Sequence, residues 1–127
     1  MAWIDCNPNP DGKRTTDCAV RAIALALNIP WEEAFVMLTS KAFKLHDMPD
    51  KYSVVHAVLK DLGFNRSAIP TSCPECYTVE DFCNDHKEGI FLVGFGDHIA
   101  VVKDGNLLDA WDSSKELPQL YWYKEEK

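Results

Sequence analysis

The apolar residues of this chain change their spacing at Gly89, and that switch restricts the fold more than any other feature. Upstream they recur at helical intervals; downstream they run or alternate as strands do. The spacing predicts a first helix from about Asp17 to Asn28, with Val20, Ile23, Ala24 and Leu27 on one stripe. Pro30 ends it and opens a second, whose apolar face carries Trp31, Ala34, Phe35, Leu38, Ala42 and Leu45. A third covers about Lys51 to Leu62, with Gly63 where a C-cap glycine belongs. Thr78, with Asp81 three residues on, caps a short helix to about His86. After Gly89, the stretch from Ile90 to Phe95 is nearly all apolar, as in a strand buried on both faces. Strands His98 to Lys103 and Leu107 to Asp112 flank the turn signal Asp104-Gly105-Asn106, and Leu120 to Tyr123 closes the pattern. Helices first (about 17–86) and an antiparallel sheet afterwards (about 90–123) make an α+β fold in one domain, 1–127. Residues 3–16 read as a polar lead-in of turns and 64–77 as a connector.

Charge and composition remove several classes of function. The formal charge is −7 and the basic residues are scattered, so no nucleic-acid footprint is expected. No run approaches the ~20 apolar residues of a membrane span. Met1-Ala2-Trp3-Ile4-Asp5 lacks the basic and apolar regions of a secretion signal, so a cytoplasmic protein is expected. Its five cysteines are then read as reduced thiols or metal ligands.

One of those cysteines stands where chemistry is favoured. In Thr15-Thr16-Asp17-Cys18-Ala19-Val20 polar capping residues give way to the first helix, which puts the Cys18 thiol in the first turn. There the free N–H groups and the helix dipole favour thiolate, the reactive form. His98 opens the strand Ile99-Ala100-Val101-Val102 and supplies a base. A carboxylate to orient that base follows from hairpin arithmetic. A three-residue loop, 104–106, sets His98 opposite Asp112. A two-residue loop, 104–105, leaves Asp109 on the histidine's face, two positions away. Asp112 is preferred for its direct opposition, with Asp109 in reserve. Arg21, one turn after Cys18, either supports a thiolate or pairs with Asp17 on a solvated face.

Asp17-Cys18 at a helix start, Gly96-Asp97-His98-Ile99-Ala100-Val101-Val102 and Asp109-Ala110-Trp111-Asp112-Ser113 together resemble the Cys, His and Asn/Asp boxes of papain-like cysteine peptidases. The compact form, with three helices before the sheet, is more similar to bacterial C39-type peptidases and to small phage and prophage proteins of Gram-positive bacteria. The resemblance covers residues 15–112. It implies a papain-like fold in which Cys18 is the nucleophile, His98 the general base and acid, and Asp112 the orienting carboxylate. No cofactor is required, and the substrate is a peptide or protein. The family usually places a Gln before its Cys to complete the oxyanion hole; here the only glutamine is Gln119. Asn9 or Asn7 is the replacement donor, beside the Cys18 N–H. The alternative is a catalytically inactive interaction module on the same shell.

Cys73, Cys76, Cys83 and His86 form a second constellation, with the residue types of a Cys3His zinc site. Cys83 and His86 lie one turn apart, so their side chains can converge. Zinc held there would be structural, a brace for either reading. The competing readings are ordinary packing of a Val79, Phe82, Cys83, His86 stripe, or a Cys73/Cys76 dithiol. The dithiol should follow a buried strand, and Ser67-Ala68-Ile69-Pro70 makes a poor one.

Overall fold

The chain is seen here as a computed structural model that describes residues 1–70 and 74–124. The segments described are β1 (Trp3–Asp5), α1 (Cys18–Leu27), α2 (Trp31–Leu45), α3 (Tyr52–Asp61), β2 (Phe64–Ala68), α4 (Val79–Asp85), β3 (Ile90–Phe95), β4 (His98–Lys103), β5 (Asn106–Asp109) and β6 (Leu120–Lys124). They make an α+β fold around one six-stranded sheet of order β1-β5-β4-β3-β6-β2. The helices fall where periodicity puts them. α1 ends at Asn28, left-handed at φ 54°, and α2 ends at His46, again at φ 54°. Thr78 and Asp81 complete a reciprocal capping box at α4.

Both faces of the sheet are covered. Leu92, Ile99, Val101 and Trp122 face a core built with Ile23, Leu38, Val54, Val55 and Leu59 of α1 to α3. Val93, Phe95, Ala100, Val102 and Leu107 face Val79, Phe82 and Cys83 of α4. Successive residues of β3 and β4 thus enter opposite cores, which explains their unbroken apolar runs. α1 is the central helix: it packs on β4 and α2, and seven of its ten residues are buried. α2 instead buries only Ala34, Leu38 and Ala42, leaving Phe35 and Leu45 of the expected apolar face exposed.

Three expectations change. The sheet is mixed, because β1 in the polar lead-in pairs parallel with β5, Trp3 opposite Leu107 and Asp5 opposite Asp109. The connector contains an edge strand, β2, antiparallel to β6; only Phe64 of its five residues is buried, so periodicity gave no sign of it. The third concerns the β4–β5 turn. Asp104 and Gly105 both hold positive φ, 51° and 79°, the pattern of a two-residue type I′ turn. Lys103 therefore pairs with Asn106, β5 starts one residue earlier than expected, and it ends at Asp109. Asp112 lies beyond the strand. Among the described residues no single helix is long and apolar enough to cross a membrane.

Candidate active site

Helix α1 begins at Cys18, and its start is held from below rather than capped. The Asp17 side chain makes no cap bond. It accepts from Arg21 Nη1 at 2.5 Å, Trp31 Nε1 at 3.0 Å and Asn9 Nδ2 at 3.3 Å, and is only 6% exposed. Arg21 is buried with it, not solvated. One buried carboxylate thus ties α1, α2 and the lead-in together just below Cys18.

The thiol of Cys18 lies at the end of the sheet, with Sγ 3.6 Å from the Asp97 carbonyl oxygen. Burial pushes the thiol up, but it is outweighed by a hydrogen bond from His98, by the Ile99 backbone and by the charges of His98 and Arg21. The net shift is downward. For His98 burial disfavours the imidazolium, and hydrogen bonds to Asp109 and Cys18 more than restore it, raising the ring to about 9. The two shifts have opposite signs and a shared cause, the hydrogen bond between thiol and ring, and each favours the charged form of its group.

Asp109, and not Asp112, orients the imidazole. His98 Nε2 lies 2.6 Å from Asp109 Oδ2, which leaves Nδ1 for the thiol. Asp109 is 3% exposed and also accepts from Ser113 Oγ at 2.7 Å and the Ala110 N–H at 2.8 Å. Its backbone carbonyl takes the Cys6 N–H and Trp3 Nε1, so β1 braces it from the other side. Asp112 is exposed, and its carboxylate, held low by Ser114, accepts the Ser114 N–H. The preference for Asp112 assumed the three-residue loop, and the type I′ turn removes it.

The β3–β4 turn that carries His98 is pinned twice. Tyr52 Oη donates toward the carbonyls of Gly96 and His98, at 2.9 and 3.0 Å, and its phenol is pushed up to about 12 by burial and the nearby Cys18 and Asp97. Gln119 accepts the Gly96 N–H at 3.1 Å. The imidazole sits between the rings of Phe95 and Trp111, with centroids 5.2 and 5.1 Å away.

Both asparagines expected at an oxyanion hole commit an amide hydrogen elsewhere. Asn9 Nδ2 serves Asp17, and Asn7 Nδ2 donates to the Lys13 carbonyl at 3.1 Å. Both side-chain oxygens accept lead-in N–H groups. Two open clefts meet at Cys18 instead. One, about 610 Å³, includes Arg14, Thr16, Cys18, His98 and Trp111 in its wall. The other, about 530 Å³, includes Thr16, Cys18, Asp50, Tyr52 and Asp97. A larger cavity of about 1040 Å³, lined by Leu27, Phe64, Ile90 and Lys103, contains neither Cys18 nor His98.

The second constellation is described only in part. Cys73 lies outside the described residues. Cys76 is in a disulfide, against the expectation of reduced thiols. Cys83 is fully buried among Val79, Phe82 and Val93, and burial pushes its thiol up to about 11. His86 Nδ1 lies 2.8 Å from the Phe82 carbonyl, and its ring stacks on Phe82. Cys83 and His86 both pack with Phe82, as the apolar-stripe reading expects. Among the described residues no three His, Cys, Asp or Glu side chains gather as a metal site.

Sequence reasoning missed Tyr52, Ser113 and Arg14, whose Nη1 donates to the Ala110 carbonyl at 3.0 Å. Each acts through a partner far away in the chain or across an irregular loop, which no periodicity encodes. No family model, no curated protein and no solved structure matches this chain.

Proposed function

We propose that this protein is a papain-like cysteine hydrolase that cleaves amide, isopeptide or thioester bonds in a peptide or protein substrate. The observation that carries the reading is the chain Cys18–His98–Asp109, in which the thiol is shifted down and the imidazole up to about 9. Near neutral pH the Cys18 thiolate attacks the substrate carbonyl, forming a C–S bond and an oxyanion. The Cys18 N–H, at the first helical position of α1, is one donor available to that oxyanion. His98 gives its proton to the leaving amine or thiol as the carbonyl re-forms. It then takes a proton from water, whose oxygen displaces Cys18 and releases the acid. Asp109 keeps the ring turned and supports its charge; Ser113 and Ala110 keep Asp109 turned.

Alkylation tests this directly. Rates for each free cysteine are measured against pH with iodoacetamide and peptide mass spectrometry, in wild type and His98→Ala. Cys18 is expected to react with an apparent pKa well below ~8.5, and the advantage to vanish in His98→Ala. A Cys18 that reacts as an ordinary thiol in both proteins refutes the proposal.

A second reading, a catalytically silent module on the same shell, is favoured by one observation: the side chains of Asn7, Asn9 and Gln119 each have a structural partner, the Lys13 carbonyl, Asp17 and the Gly96 N–H. Loss of one oxyanion donor typically costs ~100–1000-fold. An activated Cys18 that alkylates fast but turns over no acyl substrate is the outcome this second reading expects.

A further inference from the structure

The hollow beside α1 gives the proposed hydrolase a substrate preference. We propose that the space walled by Val20, Trp31, Phe35, Met48 and Pro49 is a subsite for a large apolar side chain of the substrate polypeptide. The proposal rests on the hydrolase reading and adds to it the class of residue bound beside the scissile bond.

Four observations lead there. First, the hollow is about 300 Å³, at the small end of ligand pockets, a size suited to a single side chain. Second, its wall is apolar yet open: Phe35 is 42% exposed and Met48 61%. Scattered apolar surface is ordinary, but these two flank one concavity rather than standing apart. Third, the wall is held in shape. The Trp31 and Phe35 rings stack at 5.1 Å and 15°, and Trp31 Nε1 is bonded to Asp17, the residue preceding Cys18. The carboxylate that fixes the start of the nucleophile helix thus also fixes the pocket wall, so a bound side chain is indexed to the thiol.

The fourth observation is continuity, and it selects the occupant. Thr16 lines this hollow and both clefts that meet at Cys18, and Asp50 lines the hollow and the cleft with Tyr52. An extended chain laid across Cys18 through those clefts therefore passes the rim of the hollow. One of its side chains can enter while the backbone stays at the thiol. Burying a Leu- or Phe-sized group there is worth about a tenfold to a hundredfold gain in productive encounter.

Two alkylating reagents test this without knowledge of the natural substrate. Iodoacetamide reads the thiolate alone; N-hexyl iodoacetamide adds an apolar arm that the proposed subsite would take up. Both form a thioether with Cys18 and release iodide. Rates at Cys18 are normalised to Cys6, a second free, half-buried cysteine in the same molecule. In wild type the hexyl reagent is expected to gain about tenfold or more over iodoacetamide at Cys18. Phe35→Ser and, separately, Met48→Ser are expected to remove that gain, read as the ratio of the two reagents' rates at Cys18. Met48, the more exposed of the two, guards against a Phe35 variant that folds poorly.

Equal normalised rates for the two reagents in wild type overturn the subsite and leave the hydrolase reading standing. A preference that survives both substitutions does the same. A Cys18 slower than Cys6 with both reagents overturns the hydrolase reading and the subsite with it. A wild type that sediments as a dimer, and a Phe35→Ser protein that sediments as a monomer, assign the hollow to a second copy of this chain and overturn the proposal.

Discussion

Replacing Asp109 with Asn should lower the pKa of His98 by about one to two units, and replacing Asp112 should not move it. The imidazolium reaches about 9 because burial, which opposes its charge, is outweighed by hydrogen bonds to Asp109 and to Cys18. A hydrogen bond to a charged group is worth roughly 1.5–3 kcal/mol, and one pKa unit corresponds to about 1.4 kcal/mol. Asp109→Asn keeps one oxygen for the Ala110 N–H and sets an amide nitrogen against Ser113 Oγ, which can turn to accept, but it removes the charge from His98 Nε2. Most of the Asp109 share should therefore be lost without collapse of the loop. Asp112 is exposed and bonded to Ser114 rather than to the ring, so Asp112→Asn removes nothing from His98. Two-dimensional NMR of the histidine ring protons, titrated in wild type and both variants, gives the pKa directly. An unmoved His98 in Asp109→Asn, or a shift of similar size in Asp112→Asn, refutes the assignment and the hairpin register beneath it.

Four further outcomes follow from the same geometry. The stability that His98 adds, taken as wild type minus His98→Ala in urea melts, should be lost as pH rises through about 9, because the folded pKa lies above its ordinary 6.5. Ser113→Ala removes one bond to a buried carboxylate and should cost about 1.5–3 kcal/mol, with a rise in the pH at which Cys18 ionises. Arg21→Met leaves Asp17 buried with only its Trp31 and Asn9 donors and should cost about 3 kcal/mol in the same melts. Gly105→Ala places a Cβ at φ 79° and 3.2 Å from the Cys83 carbonyl and the Lys87 Cα; a loss of about 1–3 kcal/mol in thermal unfolding is expected. A neutral result at Gly105 would argue against the type I′ turn.

Much of this architecture could be read from the chain because local chemistry and global packing agree. α1 and α4 follow their periodicity, α4 with the capping box expected of Thr78 and Asp81, and β3 is apolar throughout because both its faces are covered. Cys18 and His98 were found for the same reason: one starts a helix and the other a strand. What the sequence left open was settled by non-local pairing. β1 spans three residues, too few for a period, and pairs with a strand over a hundred residues later. β2 is an edge strand with one buried residue.

The orienting carboxylate is a different case. Both candidate registers were visible, and Asp-Gly is the dipeptide most suited to a two-residue turn with two positive φ angles, so turn chemistry favoured Asp109. Direct opposition to His98 was the weaker criterion. The apolar stripe of α2 shows the converse limit. Phe35 has the spacing of a core residue, yet it lies beside a hollow rather than within the core, a distinction that depends on where α3 and the 47–50 loop pack.

The central claim is that Cys18 is ionised against His98 near neutral pH. The most direct measurement is the ultraviolet absorbance of the thiolate across a pH titration, as wild type minus Cys18→Ser, repeated on a His98→Ala background. The account predicts a thiolate signal already present at about pH 7, titrating below the ordinary ~8.5, and displaced upward without His98. A difference spectrum that appears only near the ordinary thiol value, and is the same on both backgrounds, would contradict it.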